Sequence, residues 1–198
     1  SFLYSKNVSP FLSGCALGFC ALVRPQDAVL GLLAFQKYSR IFFLGVMIML
    51  LPQLLAWYAL YGSAFVSPYL AGGESFIWWS PHFFDVLFSP TNGLFLWTPV
   101  TLLGIAGLFF WKNPHRLWFI GIFAAEVVIV GSWSTWWQGA SYSGRMLVST
   151  LPILSFGLAA LYTKLISGGL GTKHILLTTI GPLTIINIIL IVRFLLQT

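Results

Sequence analysis

Charge is what this 198-residue sequence has least of. Asp, Glu, Lys and Arg together make up 7% of it, and only four residues are acidic. Soluble domains carry about 25% charge to cover their surface, so that class is excluded. Cysteine is almost absent: Cys15 and Cys20 lie five apart in one apolar run. That spacing suits neither a zinc site nor a disulfide framework, and both read as small buried hydrophobes. No phosphate-cradling loop, dinucleotide-binding glycine pattern, zincin helix or nucleophile elbow occurs; Gly139-Ala-Ser-Tyr-Ser143 lacks the elbow's final glycine. Internal repeats, polar linkers and a signal-peptide pattern are missing too. The chain begins at Ser1 and not at Met, and we expect further coding sequence upstream.

What is present is apolar. Hydrophobic residues make up 58% of the chain, and the mean hydropathy is +0.90. Several runs approach the roughly 20 residues needed to cross a hydrocarbon core. The expected fold is all-α: a polytopic transmembrane bundle forming one domain over residues 1–198. Its full spans are five, Ile41–Tyr61, Gly93–Trp111, Leu117–Ser132, Met146–Leu165 and His174–Val192. Before them, Pro10–Val23 and Ala28–Phe35 are each too short to cross alone and flank Arg24-Pro25-Gln26-Asp27. Proline ends the first of them and biases Arg24 away from helical dihedrals. Either this is one kinked span with a buried charge pair, or two short helices dip to a polar tip; the second keeps the charges wet. Gly14 and Gly18 form a small-xxx-small pair suited to close helix packing.

The intervening loops sort by charge. Lys6, Lys37, Arg40, Lys112, Arg116, Lys164 and Lys173 fall on one side, without an acid among them. Arg24, Arg145 and Arg193 fall on the other, with Asp27, Glu74 and Asp85. The positive-inside rule assigns the first side to the cytoplasm. It also accounts for the net charge of +6 without a nucleic-acid partner. Asn7-Val8-Ser9 is a formal glycosylation sequon, but it falls on the cytoplasmic side. Two polar loops then share the outer face, Gly62–Asn92 and Trp133–Arg145.

Those loops hold the candidate chemistry. In WSTWWQGASYSGR (Trp133–Arg145) the tryptophans are either an interfacial aromatic belt or, with Gln138, Ser141, Tyr142 and Ser143, the lining of a sugar-sized pocket. Gly139 and Gly144 would let backbone approach a ligand closely. Arg145 opens a span, where a guanidinium can snorkel or can bind phosphate beside a helix N-terminus. Arg24 pairs with Asp27 or makes a second phosphate contact. Glu126, in mid-span, is a functional charge or a hydrogen-bonding partner for a neighbouring helix. His82 and Asp85, three apart, share a face if a short helix forms there. Asp85 is then either a general base or a solvated capping acid. A metal would need more ligands than these two, and the sequence adds at most Glu74.

LFSPTNGLFLWTPVTLLGIAGL (Leu87–Leu108), WWQGASYSGRMLVSTLPILSFGLAAL (Trp136–Leu161) and GFCALVRPQDAVL (Gly18–Leu30) together resemble segments of the GT-C superfamily of membrane glycosyltransferases. The likeness is to the family 39-like group related to protein O-mannosyltransferases and aminoarabinose transferases, over its C-terminal half. The resemblance implies transfer of a sugar from a polyprenyl-phosphate-linked donor to a lipid, glycan or protein acceptor. The expected setting is the outer face of a bacterial or archaeal plasma membrane. It implies an inverting displacement assisted by an acidic base, with a divalent metal as a possible cofactor, required in only some members. By position, Arg24 and Arg145 would hold the lipid-linked phosphate. Trp136, Trp137, Gln138, Tyr142 and Glu74 would line the sugar or acceptor pocket, with His82 and Asp85 near the centre. The family's catalytic aspartate sits in a first outer loop that has no counterpart here, so this chain alone is expected to be inactive. Two other classes fit the composition: a transporter or flippase for lipid-linked sugars, and a non-catalytic assembly subunit.

Overall fold

The computed structural model describes residues 9–37, 39–137, 139, 141–169 and 171–197. The described chain is all-helical and divides into two compact units, Ser1–Trp78 and Trp79–Thr198. Asn7 of the sequon, Lys6 and Gln138 lie outside the described residues.

The first unit is a helical hairpin joined by a tight segment. Helix α1 (Pro10–Val23) starts where the Ser9 hydroxyl accepts from the Leu12 amide at 3.2 Å and Pro10 presets the first turn. It stops at Arg24, whose backbone is extended ahead of Pro25, as the Arg-Pro pair dictates. Residues Pro25–Lys37 then wind as a long 3-10 segment against α1, with Asp27 and Leu33 buried. Two short elements are thus separated at Arg24, but Asp27 is only 6% exposed, so the tip does not keep both charges in water. Helix α2 (Arg40–Tyr61) is capped by Ser39 at one end and by Gly62 at the other. Gly62 takes the left-handed conformation that glycine adopts most cheaply. The hairpin closes through Gly14, Gly18 and Gly45. A Cβ on Gly14 would land on the Phe42 carbonyl, and one on Gly45 on the Phe11 carbonyl. Backbone therefore meets backbone, as small residues permit in a membrane. Short helix α3 (Pro68–Ala71) follows, and the Glu74 amide bonds the Tyr69 carbonyl at 3.0 Å.

The second unit contains α4 (Phe83–Phe88), α5 (Leu94–Trp97), α6 (Val100–Phe110), α7 (Arg116–Gly131), a 3-10 turn at Arg145–Thr150 that leads into α8 (Leu151–Ser167), α9 (Thr172–Ile175), a π turn and α10 (Gly181–Gln197). Helix α7 buries Phe119, Ile122, Phe123, Glu126, Val127 and Val130, a stripe at helical spacing. Around it, Val86, Leu94, Phe95, Leu147 and Leu154 complete the core. Helices α6 and α8 run parallel, because Gly104 meets Leu154 and Gly107 meets Gly157 through backbone. The basic turn between α6 and α7 therefore lies at one end of this unit, together with Lys164 in the last turn of α8. Thr98, Gly131 and Arg145 lie at the other end.

Among the described residues, three helices are long and apolar enough to cross a membrane: Arg40–Tyr61, Arg145–Ser167 and Leu177–Leu196. The sequence reading expects five. Gly93–Trp111 is not one helix, because Pro99 has no amide hydrogen and the chain bends at Thr98. Helix α7 forms where Leu117–Ser132 was expected, but its 16 residues reach only about 24 Å. Exposed Ile, Leu and Phe cover α2 and α10, surfaces that water would not tolerate and lipid would.

Candidate functional site

The Ser-Pro-Thr-Asn-Gly stretch and the Trp133–Gly144 loop meet at one end of the second unit. Ser89 ends α4, and its hydroxyl accepts from the Thr91 amide at 3.2 Å, a local turn that serine favours. Gly93 is closed back on Ser89, where a Cβ would collide with the Ser89 amide nitrogen and carbonyl oxygen. The turn presents the buried Asn92, whose amide donates to the Trp137 carbonyl. Trp97 donates from its indole Nε1 to the Pro90 carbonyl at 3.0 Å. Asn92 and Trp97 thus fix both loops to the start of the broken helix.

The break creates an acceptor. In a continuous helix the Trp97 carbonyl would receive the Thr101 amide, but that amide turns to Thr98 instead, at 3.0 Å. The Trp97 carbonyl is taken by the Tyr142 hydroxyl at 2.7 Å and by the Asn187 amide at 2.8 Å. Asn187 also donates to the Tyr142 oxygen at 3.1 Å, closing a triangle. Burial pushes the Tyr142 phenol above its usual range. One residue along, Ser143 holds a positive φ of 55° while its hydroxyl bonds Thr98 Oγ1 at 2.8 Å. Broken helices at membrane depth are tolerated where neighbours re-satisfy the backbone in this manner.

His82 and Asp85 also come together. The His82 amide bonds the Gly131 carbonyl at 2.7 Å, its Nδ1 meets Asp85 Oδ2 at 3.0 Å, and its ring stacks on Trp136 at 4.9 Å and 15°. Trp136 in turn meets Trp137 edge-on. Of the residues expected to form the site, the second unit gathers His82, Asp85, Trp136, Trp137 and Tyr142. Arg145 is exposed at the start of the 3-10 turn before α8, two residues beyond Ser143, and its backbone amide bonds the Ser143 carbonyl at 2.9 Å. Gly139 takes a positive φ of 67°, whereas Gly144 has φ −75°. Arg24 and Glu74 belong to the first unit, where Arg24 caps α1 and its carbonyl accepts from the Asp27 amide at 2.9 Å.

Among the described residues no three of His, Cys, Asp and Glu are grouped to hold a metal ion. His82 and Asp85 would supply two side-chain ligands, with Asp85 Oδ2 already bonded to the imidazole. Asn92, Trp97, Thr98 and Asn187 belong to this site but carried no individual reading in the sequence. Pro99 was the available signal for the break, and Asn187, a lone amide in the apolar run TIINIILIV, for the contact. No protein-family model matches this chain, and no curated protein or solved structure matches it either.

Proposed function

We propose that this chain is the C-terminal part of a GT-C-type membrane glycosyltransferase that moves a sugar from a polyprenyl-phosphate-linked donor to an acceptor at the outer face of the plasma membrane. One observation carries the reading. Within the second unit, the aromatic and hydrogen-bonding side chains Trp136, His82, Asp85 and Tyr142 occupy one end, and Lys112, Arg116 and Lys164 the other. A site that handles a lipid-linked sugar needs an aromatic, polar surface at one bilayer face, with the cationic face opposite. In this reading α5 with α6, and α7, also cross the membrane, giving five crossings, and the basic turn faces the cytoplasm. Trp136 and Trp137 offer apolar faces to a sugar ring, and Tyr142, whose hydroxyl hydrogen is held by the Trp97 carbonyl, offers its ring and the remaining lone pair of its oxygen. Arg145 binds the phosphate, where a guanidinium stabilises the negative charge that builds on the departing group.

The test is binding first and turnover second. The chain in lipid nanodiscs, titrated with polyprenyl phosphate, should retain the lipid, as read by native mass spectrometry. Arg145→Ala should weaken retention about tenfold or more, the loss of a charge-assisted hydrogen bond of about 1.5–3 kcal/mol. In proteoliposomes of the whole protein, release of polyprenyl phosphate from a sugar-loaded donor marks transfer. Movement of intact donor between leaflets without cleavage would mark a transporter instead. Failure to retain the lipid, with Arg145→Ala lowering only thermal stability, would leave the assembly subunit.

A further inference from the structure

Helix α4 is six residues long, and each of its sides meets different surroundings. Val86 faces inward, buried in one core with Leu94, Val130 and Leu147. Phe84 and Phe88 are four apart, which puts them on one face, and their rings lie 5.0 Å apart. On a helix Phe84 lies about 200° round from Val86, so that face points away from the core. Phe84 is 68% exposed, and Trp79, just before the helix, is 84% exposed. Asp85, bonded to His82, takes the flank between the two faces. The depth of the helix is set by what holds it. The His82 amide bonds the Gly131 carbonyl at the end of α7, and a Cβ on Gly131 would meet the Phe83 amide nitrogen. Leu147, in the same core as Val86, lies near the start of Arg145–Ser167, a helix long and apolar enough to cross a membrane. Helix α4 therefore sits level with the end of a span, where hydrocarbon gives way to headgroups.

We propose that α4 is an interfacial anchor: it lies in the membrane–water boundary with Trp79, Phe84 and Phe88 inserted among the lipids. A short helix with aromatic residues on one side and a polar flank suits that position, its apolar face reaching about 5–10 Å below the headgroups. The occupant of the Phe84 face is lipid because this face continues the apolar surface of the span beside it. Charge points the same way. Residues 41–111 contain no Lys or Arg, so the face offers nothing to an acidic protein and insertion is driven by apolar burial alone. The anchor holds His82 and Asp85 at headgroup depth, and through Gly131 it ties the end of α7 to the same level. It depends on Arg145–Ser167 crossing the bilayer and stands apart from the sugar-transfer reading.

The experiment places an environment-sensitive fluorophore on Phe84→Cys, in a Cys15→Ala/Cys20→Ala background, with the chain in lipid nanodiscs. Quenchers are phosphatidylcholines with a nitroxide near the headgroup or deep in the acyl chain, and an aqueous iodide. Lys112→Cys serves as the aqueous reference and Ile185→Cys, within the last span, as the deep one. At Phe84→Cys the shallow nitroxide should quench about twofold more than the deep one, and iodide less than at Lys112→Cys. Iodide quenching equal to that at Lys112→Cys puts the face in water and overturns the anchor. Shielding from iodide and from both nitroxides means that a second copy or another protein covers the face, and overturns it as well. A second measurement needs no substitution. The wild-type chain is irradiated in bilayers that hold a phosphatidylcholine with a diazirine beside its glycerol, then digested with chymotrypsin. Adducts should fall on Trp79–Phe88; adducts on α10 with none on that stretch overturn the insertion.

Discussion

The Tyr142 hydroxyl donates to the Trp97 carbonyl at 2.7 Å, and Asn187 donates to the same oxygen from the last helix. One carbonyl thus ties a loop and α10 to the break in the α5–α6 run. Removing one donor leaves the carbonyl satisfied by the other. Removing both leaves it buried without a partner, which costs its full desolvation. Tyr142→Phe and Asn187→Leu should therefore each cost about 0.6–1.5 kcal/mol, and the double variant more than their sum. Thermal or denaturant unfolding in detergent reads the coupling. A strictly additive pair would mean that the two donors do not share this acceptor.

The phenol gives a pH dependence of defined sign. Burial raises the Tyr142 value in the folded chain above the unfolded one. Below the unfolded value, near 10, both states hold the proton and the contribution is complete. As pH rises from there through the raised folded value, the unfolded chain loses its proton first and the contribution is lost. The stability gap between wild type and Tyr142→Phe should stay level from about pH 6 to about pH 9 and narrow above about pH 10. A gap that widens in alkali would contradict this.

Much of the fold can be read from the sequence because its signals are local. Arg24-Pro25 predicts the end of α1, Gly14 and Gly18 predict its close face, and the three-residue spacing of His82 and Asp85 predicts their contact across the N-cap and first turn of α4. The Thr98 break was hidden by the apolar run around it. Hydrophobicity alone makes Gly93–Trp111 one span, whereas Pro99 removes the amide that would continue it. Asn187 was illegible for a different reason. Its partner is a backbone carbonyl ninety residues away, and a carbonyl leaves no mark in the sequence. The loop tryptophans read as either an interfacial belt or a pocket lining, and the sequence did not say which of them stacks on a histidine.

The glycine contacts separate packing from propensity. A Cβ on Gly107 meets the Gly157 carbonyl and one on Gly157 meets the Gly104 carbonyl, whereas one on Gly121 meets nothing within 4 Å. Gly107→Ala and Gly157→Ala should each cost about 1–3 kcal/mol by forcing α6 and α8 apart. Gly121→Ala, in an exposed stretch of α7, should be neutral or stabilising by up to about 1 kcal/mol. Unfolding midpoints of the three variants check this, and equal effects at all three sites would remove the backbone contact as the explanation.

Sidedness is open to chemical labelling. With Cys15 and Cys20 replaced by alanine, single cysteines at Trp137, Lys112 and Lys164 report the two ends of the second unit. A membrane-impermeant maleimide added to intact cells should label Trp137→Cys alone. Lys112→Cys and Lys164→Cys should react only after permeabilisation, as the positive-inside rule requires. Labelling of Lys112→Cys in intact cells would reverse the orientation, and labelling of both ends would dissolve it.

The break itself can be repaired. Pro99→Ala restores the missing amide and removes the ring that keeps Thr98 out of helical dihedrals. Leu94–Phe110 can then run as one helix, and the Thr101 amide returns to the Trp97 carbonyl. Tyr142 and Asn187 lose their acceptor, although nothing in either residue has changed. Helix content by circular dichroism should stay level or rise, because a helix-breaking proline costs about 3 kcal/mol in such a position. The Trp133–Gly144 loop should loosen, and Arg145 at its end supplies the reporter, since trypsin cleaves after arginine. Cleavage after Arg145 should be faster in Pro99→Ala than in wild type, and similarly fast in the Tyr142→Phe/Asn187→Leu double variant. If Pro99→Ala leaves that cleavage rate unchanged while helix content rises, the loop is anchored by Asn92 and Ser143 and the Trp97 carbonyl is dispensable.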